Sequence, residues 1–329
     1  LILIWVSKPQ TEHRPARIDY RGLVLIASGV ALSVFGFQEA SIWGWGNPGT
    51  WLCIIGGGLL IVVFYFVELR TEEPLIEVRI FNVKPFRVEN LVLFIAMMAF
   101  IPVFFFASVY AQVALGKNAS QAGLYLLYFF LGFVTAAQIG GRMLDRIGAK
   151  RPVVVGCLIA ALGFWLWGRK VTGLDFSKQI WFVILAGFGL GMMLGQANTD
   201  AINRASRLSY GEATGITQTI RNYSASLGLA ILGTILVTEM RDRVTSSLVA
   251  QGLPRARAHS MASDIAQLRG GSGGSGDRIP HFIRLDFAYA TRSVLFVMAG
   301  VMLAAAVVAL VGLRAGVQQE VVEPEAATS

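Results

Sequence analysis

The chain is 329 residues long, 55% apolar and 15% charged, with a formal net charge of +8. That balance excludes an ordinary water-soluble domain, and the apolar residues fall in the long blocks that mark membrane spans. The positive charge does not point to nucleic acid. The cations lie in short stretches between apolar runs, where the preference of Lys and Arg for one side of a bilayer explains them.

Residues 1–6 are apolar but too few to cross a bilayer, which takes about 20 residues. The expectation is the end of a truncated span, leading into a polar loop to residue 21 with Lys8, Arg14, Arg17 and Arg21. Complete spans are predicted at 22–37 and 51–67, joined by an aromatic turn, Trp43-Gly44-Trp45-Gly46-Asn47-Pro48. A charged connector, 68–89, follows. Six more spans are predicted at 90–112, 120–141, 152–167, 180–199, 213–237 and 293–313. Between the last two lies a long polar stretch, 239–292, whose first part, 240–268, is compatible with a helix and is followed by a Gly/Ser linker at 270–276. Its last part, 279–289, is amphipathic and aromatic and is expected to lie against the membrane. The tail, 314–329, is acidic. The fold class is therefore all-α: a polytopic helical bundle with eight complete transmembrane helices and one truncated one.

Orientation follows from the stretch 140–156, where Arg142, Arg146, Lys150 and Arg151 separate two apolar runs. Cations this close to spans are retained on the cytoplasmic side. Alternating from there puts 15 cations in inner loops and 4 in short outer loops. Trp43, Trp45, Trp51, Trp165, Trp167 and Trp181 then fall at outer ends, as interface anchors.

Small residues recur every four positions at Gly187, Gly191 and Gly195, and at Gly132, Ala136 and Gly140, each set forming one helix face for close packing. Static contact is the plainer reading, and sliding during a cycle the functional one. Cys53 and Cys157 sit in apolar runs, and His13, His259 and His281 are isolated. That pattern predicts no metal site and no cofactor, and the absence of a nucleophile–base set argues against an enzyme.

Arg221 lies inside a predicted span, where a charge costs about 2.5–3.5 kcal/mol on insertion scales. It is expected to face the bundle interior with Asp200 as partner, Glu212 being the alternative. A structural pin between two helices and a charge that changes partner both fit. Gln138, Gln196, Asn198 and Asn222 are amides in or near spans and should point inward. Interhelical bonding and substrate binding compete for them. Tyr110 and Gln112 join the candidate cavity residues, with an aromatic run, Phe104-Phe105-Phe106, that suits a greasy cation or simple packing.

One stretch carries a family resemblance. Gly141-x-x-x-Asp145-Arg146-x-Gly148-x-Lys150-Arg151 resembles the cytoplasmic loop signature of the major facilitator superfamily, with Ala149 where a basic residue normally stands. Asp145 there can pair with an arginine or cap the next helix, clamping the inner mouth, or the segment is simply a turn. The residues Pro74-Leu75-Ile76-Glu77-Val78-Arg79-Ile80-Phe81, the outer turn around Gly116 and Gly123, and Thr219-Ile220-Arg221 through Gly228 are similar to the fourteen-helix drug:proton antiporters of the EmrB/QacA type.

That resemblance implies the C-terminal part of a proton-coupled multidrug exporter in a bacterial inner membrane. Residues 22–89 would be the two-helix insert and connector, and 90–313 the C-terminal six-helix bundle. The partners implied are the lipid bilayer, protons, a small amphipathic substrate and the missing N-terminal bundle. Alternatives are an exporter dedicated to one metabolite or antibiotic, and a non-transporting scaffold or sensor.

Overall fold

The computed structural model describes residues 19–71, 78–205, 210–267, 279–314 and 316. The apolar stub, residues 74–77 of the connector, the Gly/Ser linker and nearly all of the tail lie outside the described residues. Among those described there is no strand. A 3-10 turn, Val78–Asn82, precedes the main bundle, and the α-helices in chain order are α1 Tyr20–Trp43, α2 Pro48–Glu68, α3 Lys84–Val113, α4 Ala119–Ile147, α5 Lys150–Val171, α6 Ile180–Asn203, α7 Tyr210–Ala250, α8 Arg255–Gln267 and α9 His281–Gly312. All but α8 are long and apolar enough to cross a membrane, so this is a multi-pass membrane protein built as a helical bundle.

Local sequence sets several helix starts. Asp19 accepts from the amides of Arg21 and Gly22 at 2.9 and 3.0 Å to open α1. Asn118 and Gln121 form a reciprocal capping box at α4: the Gln121 amide donates to Asn118 Oδ1 at 2.9 Å, and the Asn118 amide to Gln121 Oε1 at 3.3 Å.

At the centre of the bundle, α6 is gripped by α4 on one side and α5 on the other. Glycines on two of its faces explain this. A Cβ added at Gly187 or Gly191 would strike the carbonyls of Phe129 and Phe133 on α4, and one added at Gly189 would strike the Ala160 amide on α5. The partners reciprocate with Gly132, Gly156 and Gly163. In lipid there is little hydrophobic drive between helices, so such backbone approach supplies the association. Gly195 continues the four-residue period but leaves it functionally: a Cβ there meets open space. On the far side, α3 packs on α7 and α9, with Gly228 of α7 against Met98. The α1–α2 pair closes through Gly29, Gly36 and Gly57, and α1 leans on α7. There Ser33 Oγ and Tyr223 Oη lie 2.7 Å apart, and Trp45 Nε1 donates to Thr234 Oγ1 at 2.7 Å.

Three expectations need correction. First, the described residues of 239–292 are mostly helical: the helix allowed for at 240–268 is divided between the end of α7 and α8, and the segment expected at the interface opens α9. α7 continues to Ala250, giving 41 residues, or about 60 Å at the helical rise, well beyond a hydrocarbon core of about 30 Å. Water satisfies the polar extension as well as a loop would, and pairs such as Glu239–Arg243 at 3.4 Å support it. α8 folds back on α7, and α9 begins at His281, twelve residues before the predicted span. Ser247 Oγ donates to Asp286 Oδ2 at 2.8 Å, the Arg243 guanidinium sits 4.7 Å over the Tyr289 ring, and Arg284 Nε donates to the Ala114 carbonyl at 2.8 Å. Second, α3 begins at Lys84, so Glu89 belongs to a helix rather than to the connector. Third, Trp167 is no interface anchor: it is 1% exposed in the core, packed on Phe164 and Tyr125, whereas Trp181 is 74% exposed.

Candidate functional site

The polar groups predicted to converge do so in three separate places. The first is a cluster between α6 and α7. Arg221 is half-buried, and its Nη1 donates to Asn198 Oδ1 at 3.3 Å and to Gln218 Oε1 at 3.4 Å. Gln218 Nε2 in turn donates to Asn222 Oδ1 at 3.2 Å. Arg221 Nε is buried and has no acceptor among the described residues. The expected partner of Arg221, Asp200, is engaged elsewhere: Arg204 Nε lies 2.6 Å from Asp200 Oδ2, one turn along the same helix. A pairing four residues apart needs no tertiary geometry, and it pre-empts the long-range one. Arg221 is left with neutral amide oxygens, which can be exchanged for another acceptor without breaking an ion pair.

Next to this cluster Gln218, Thr219 and Asn222 of α7 and Gly195 and Thr199 of α6 are exposed, and Thr135 and Gln138 are exposed on α4. Gln196, by contrast, is buried on the α4 side, its Nε2 donating to the Ala137 carbonyl at 3.2 Å. Of the predicted cavity amides, the structure brings Asn198 to Arg221, links Asn222 to it through Gln218, leaves Gln138 exposed on α4, and ties Gln196 into helix packing.

The second place lies at the opposite end of the bundle. Tyr110 is fully buried, and its hydroxyl donates to the Val171 carbonyl at 2.7 Å and accepts from Gln179 Nε2 at 2.8 Å. Gln179 Oε1 accepts from the Tyr125 hydroxyl at 2.9 Å. The network ties α3, α4, α5 and the start of α6 together, and sequence reasoning missed Gln179 because nothing around it marks it as buried. Tyr110 is thus a knot in the packing rather than an open cavity wall. Gln112 bonds back to Ser108 on its own helix. The aromatic run forms a seam between α3 and α4: Phe104 stacks on Phe130 with ring centres 5.1 Å apart, and Phe100 on Phe133 at 5.4 Å.

The third place is the loop signature. Gly148 ends α4 at φ 79° and ψ 174°, a conformation open to glycine almost alone, and turns the chain into α5 within two residues. Gly141 faces open space. Arg142, Asp145, Arg146 and Arg151 are exposed and Lys150 is half-exposed. Among the described residues Asp145 makes no ion pair within 4.0 Å and does not cap α5, whose N-cap position is Ala149 with no side-chain bond. The expected clamp through Asp145 is therefore not formed in this structure. Among the described residues there is also no group of three His, Cys, Asp or Glu placed to hold a metal. Cys157 is buried with its thiol 3.4 Å from Met193 Sδ, and both cysteines are free.

The most consequential residue missed from sequence is Glu89. It is 0% exposed, on the α3 face it shares with Phe86, Leu93 and Met97. The helical period, run back one turn into the connector, was the signal for it.

Glycine-mediated packing, an arginine within a span held by amides and exposed polar groups beside it characterise this multi-pass bundle. Sequence comparison gives the class. Residues 10–229 match the model of the Major Facilitator Superfamily, which is most of the chain, and the chain belongs to that family, a class of membrane transporters rather than enzymes. The chain is 29% identical over 257 residues to the tetracenomycin C resistance and export protein of Streptomyces glaucescens, covering 77% of this chain and 47% of that protein. It is 28% identical over 266 residues to the multidrug transporter protein MdtP of Bacillus subtilis, covering 78% and 47%. The cephamycin export protein CmcT of Amycolatopsis lactamdurans is 28% identical over 223 residues, covering 67% and 46%. The chain spans about half the length of these relatives.

Proposed function

We propose that this chain forms the C-terminal part of a proton-coupled exporter of amphipathic drug-like compounds in a bacterial inner membrane. In this reading it belongs to the fourteen-helix antiporter branch: α1 and α2 are the inserted pair, and α3, α4, α5, α6, α7 and α9 are one six-helix bundle. A second bundle faces it across a midplane route, and the two rock in alternating access. The signature end, 140–151, faces the cytoplasm.

The observation that carries this reading is the exposed polar face around Arg221. Amides, hydroxyls and a guanidinium at membrane depth do not face hydrocarbon, because burying them unpaired is costly. A water-filled route beside a second bundle is the surface that suits them, and relatives of which this chain matches only 47% have room for that bundle. Arg221, held among the described residues by neutral oxygens, is the group suited to take up a new partner. A dedicated exporter of one antibiotic is the second reading, favoured by the two relatives named for single compounds.

The test is efflux of a fluorescent lipophilic cation from cells carrying the whole native gene. Efflux should stop when the proton gradient is collapsed. Hydrogen bonds to a charged group are worth about 1.5–3 kcal/mol, so Arg221→Ala should slow efflux roughly 10- to 150-fold at matched expression. Efflux indifferent to the gradient would remove proton coupling, and unchanged efflux in the variant would remove Arg221 from the mechanism. Panels of cations and of single antibiotics separate the two readings.

A further inference from the structure

Glu89 is the least expected side chain in the molecule. It sits one turn into α3 with both carboxyl oxygens buried, and among the described residues neither oxygen has a hydrogen-bond donor. The group that faces it is another acid. Asp200, near the end of α6, is 2% exposed and meets Glu89 side chain to side chain, with Arg204 just beyond it. α3 runs away from the signature end and α6 runs towards it, so early α3 and late α6 meet in one layer. Arg204 is committed to Asp200 by the 2.6 Å contact. The thiol of Cys157 on α5 is the remaining titratable group near Glu89, and it is buried as well. α7 and α9 also pack on α3, and among the described residues they contribute none of the charges that act on Glu89.

Among the described residues, the two carboxylates and one guanidinium of this set sum to one negative charge in a dry site. A hydrogen bond between two carboxyls, moreover, exists only when a proton lies between them. We propose that Glu89 and Asp200 form a proton-binding site that holds one proton between α3 and α6 at the signature end of the bundle. With the proton bound, Glu89 donates to Asp200, Asp200 accepts from both sides, and the set of three is neutral. Without it, like charges face each other across the α3–α6 contact, and the layer lowers its energy only by separating and admitting water. Proton release is thereby coupled to opening at this end. The site stands without the transport reading; its use in an export cycle rests on that reading.

The experiment is infrared difference spectroscopy of the full-length protein in lipid nanodiscs during a pH step. The expected result is a carbonyl-stretch band of a protonated carboxyl at neutral pH that disappears at alkaline pH and is absent in Glu89→Gln. Glu89→Gln keeps the shape and a donor, so it should fold. Asp200→Asn is the second arm. It frees Arg204 to pair with Glu89, so Glu89 should ionise and the band should again be lost at neutral pH. A wild-type spectrum without a band sensitive to Glu89→Gln overturns the proposal. A band that survives Asp200→Asn unchanged overturns the sharing between the two acids. Proton-driven efflux without the band would leave the transport reading intact and sink this site; the band without proton-driven efflux would do the reverse.

Discussion

Replacing Gln179 by Leu tests whether the Tyr110–Gln179–Tyr125 network is a structural knot, as its geometry indicates, or part of a substrate cavity. Gln179 is fully buried, and its amide bonds one tyrosine with each end. In Gln179→Leu the Tyr110 hydroxyl keeps the Val171 carbonyl, 2.7 Å away. The Tyr125 hydroxyl loses the acceptor at 2.9 Å and is left buried beside Trp167. An orphaned buried hydroxyl costs about 1–3 kcal/mol, and each hydrogen bond lost adds about 1 kcal/mol. The single substitution should therefore destabilise by roughly 2–4 kcal/mol. Tyr125→Phe orphans Gln179 Oε1 instead and should cost about 1–3 kcal/mol for the same reason. The double variant removes both orphans at once. Its cost should fall short of the sum by about 1–2 kcal/mol, well outside the ~0.5 kcal/mol within which independent sites add. The assay is denaturant unfolding of the purified protein in mixed micelles, run on all four corners of the cycle. Additivity within that margin would refute the network. So would a Tyr110→Phe variant that keeps full stability while its range of exported compounds changes, since that is the behaviour of a cavity wall.

Two glycine pairs give sharper contrasts. Gly191→Val drives a side chain into the Phe133 carbonyl and should abolish folded protein in detergent, while Gly195→Ala, four residues on and facing open space, should be neutral or gain up to about 1 kcal/mol by size-exclusion and unfolding measurements. In the loop signature, Gly148→Ala forces a left-handed turn on a residue with a Cβ and should cost about 1–3 kcal/mol; Gly141→Ala, unobstructed, should be silent, and equal costs at the two positions would show that the turn is not the reason for the motif.

The spans themselves were legible because lipid is a demanding solvent. A backbone in hydrocarbon must satisfy its own hydrogen bonds, so a long apolar run has little choice but helix, and length in residues translates into depth. Seven of the eight predicted spans begin within about four residues of the helix or inside its first turns, by the same hydrogen-bond logic. The helix ends were not legible where polar sequence continues in water. α7 runs thirteen residues past its predicted end and α9 starts twelve residues early, because α8 and the side chains of Arg243, Ser247, Asp286 and Tyr289 hold that layer together. The small-residue period on α6 packs as expected at Gly187 and Gly191 but not at Gly195, which faces open space, and it did not reveal that Gly189 belongs to a second packed face.

Site chemistry divides in the same way. Sequence alone determined that the solvent is lipid, that the helices number at least eight, and that Arg221 and its neighbouring amides are too polar for their depth, since each follows from residue type and spacing along one chain. Only the tertiary structure decided who meets whom across helices: Asp200 with Glu89, Arg221 with Asn198, Tyr110 with Gln179. Periodicity assigns a side chain to a face of its own helix. Which neighbour covers that face depends on how closely the backbones approach, and here glycines on α4, α5 and α6 set that distance.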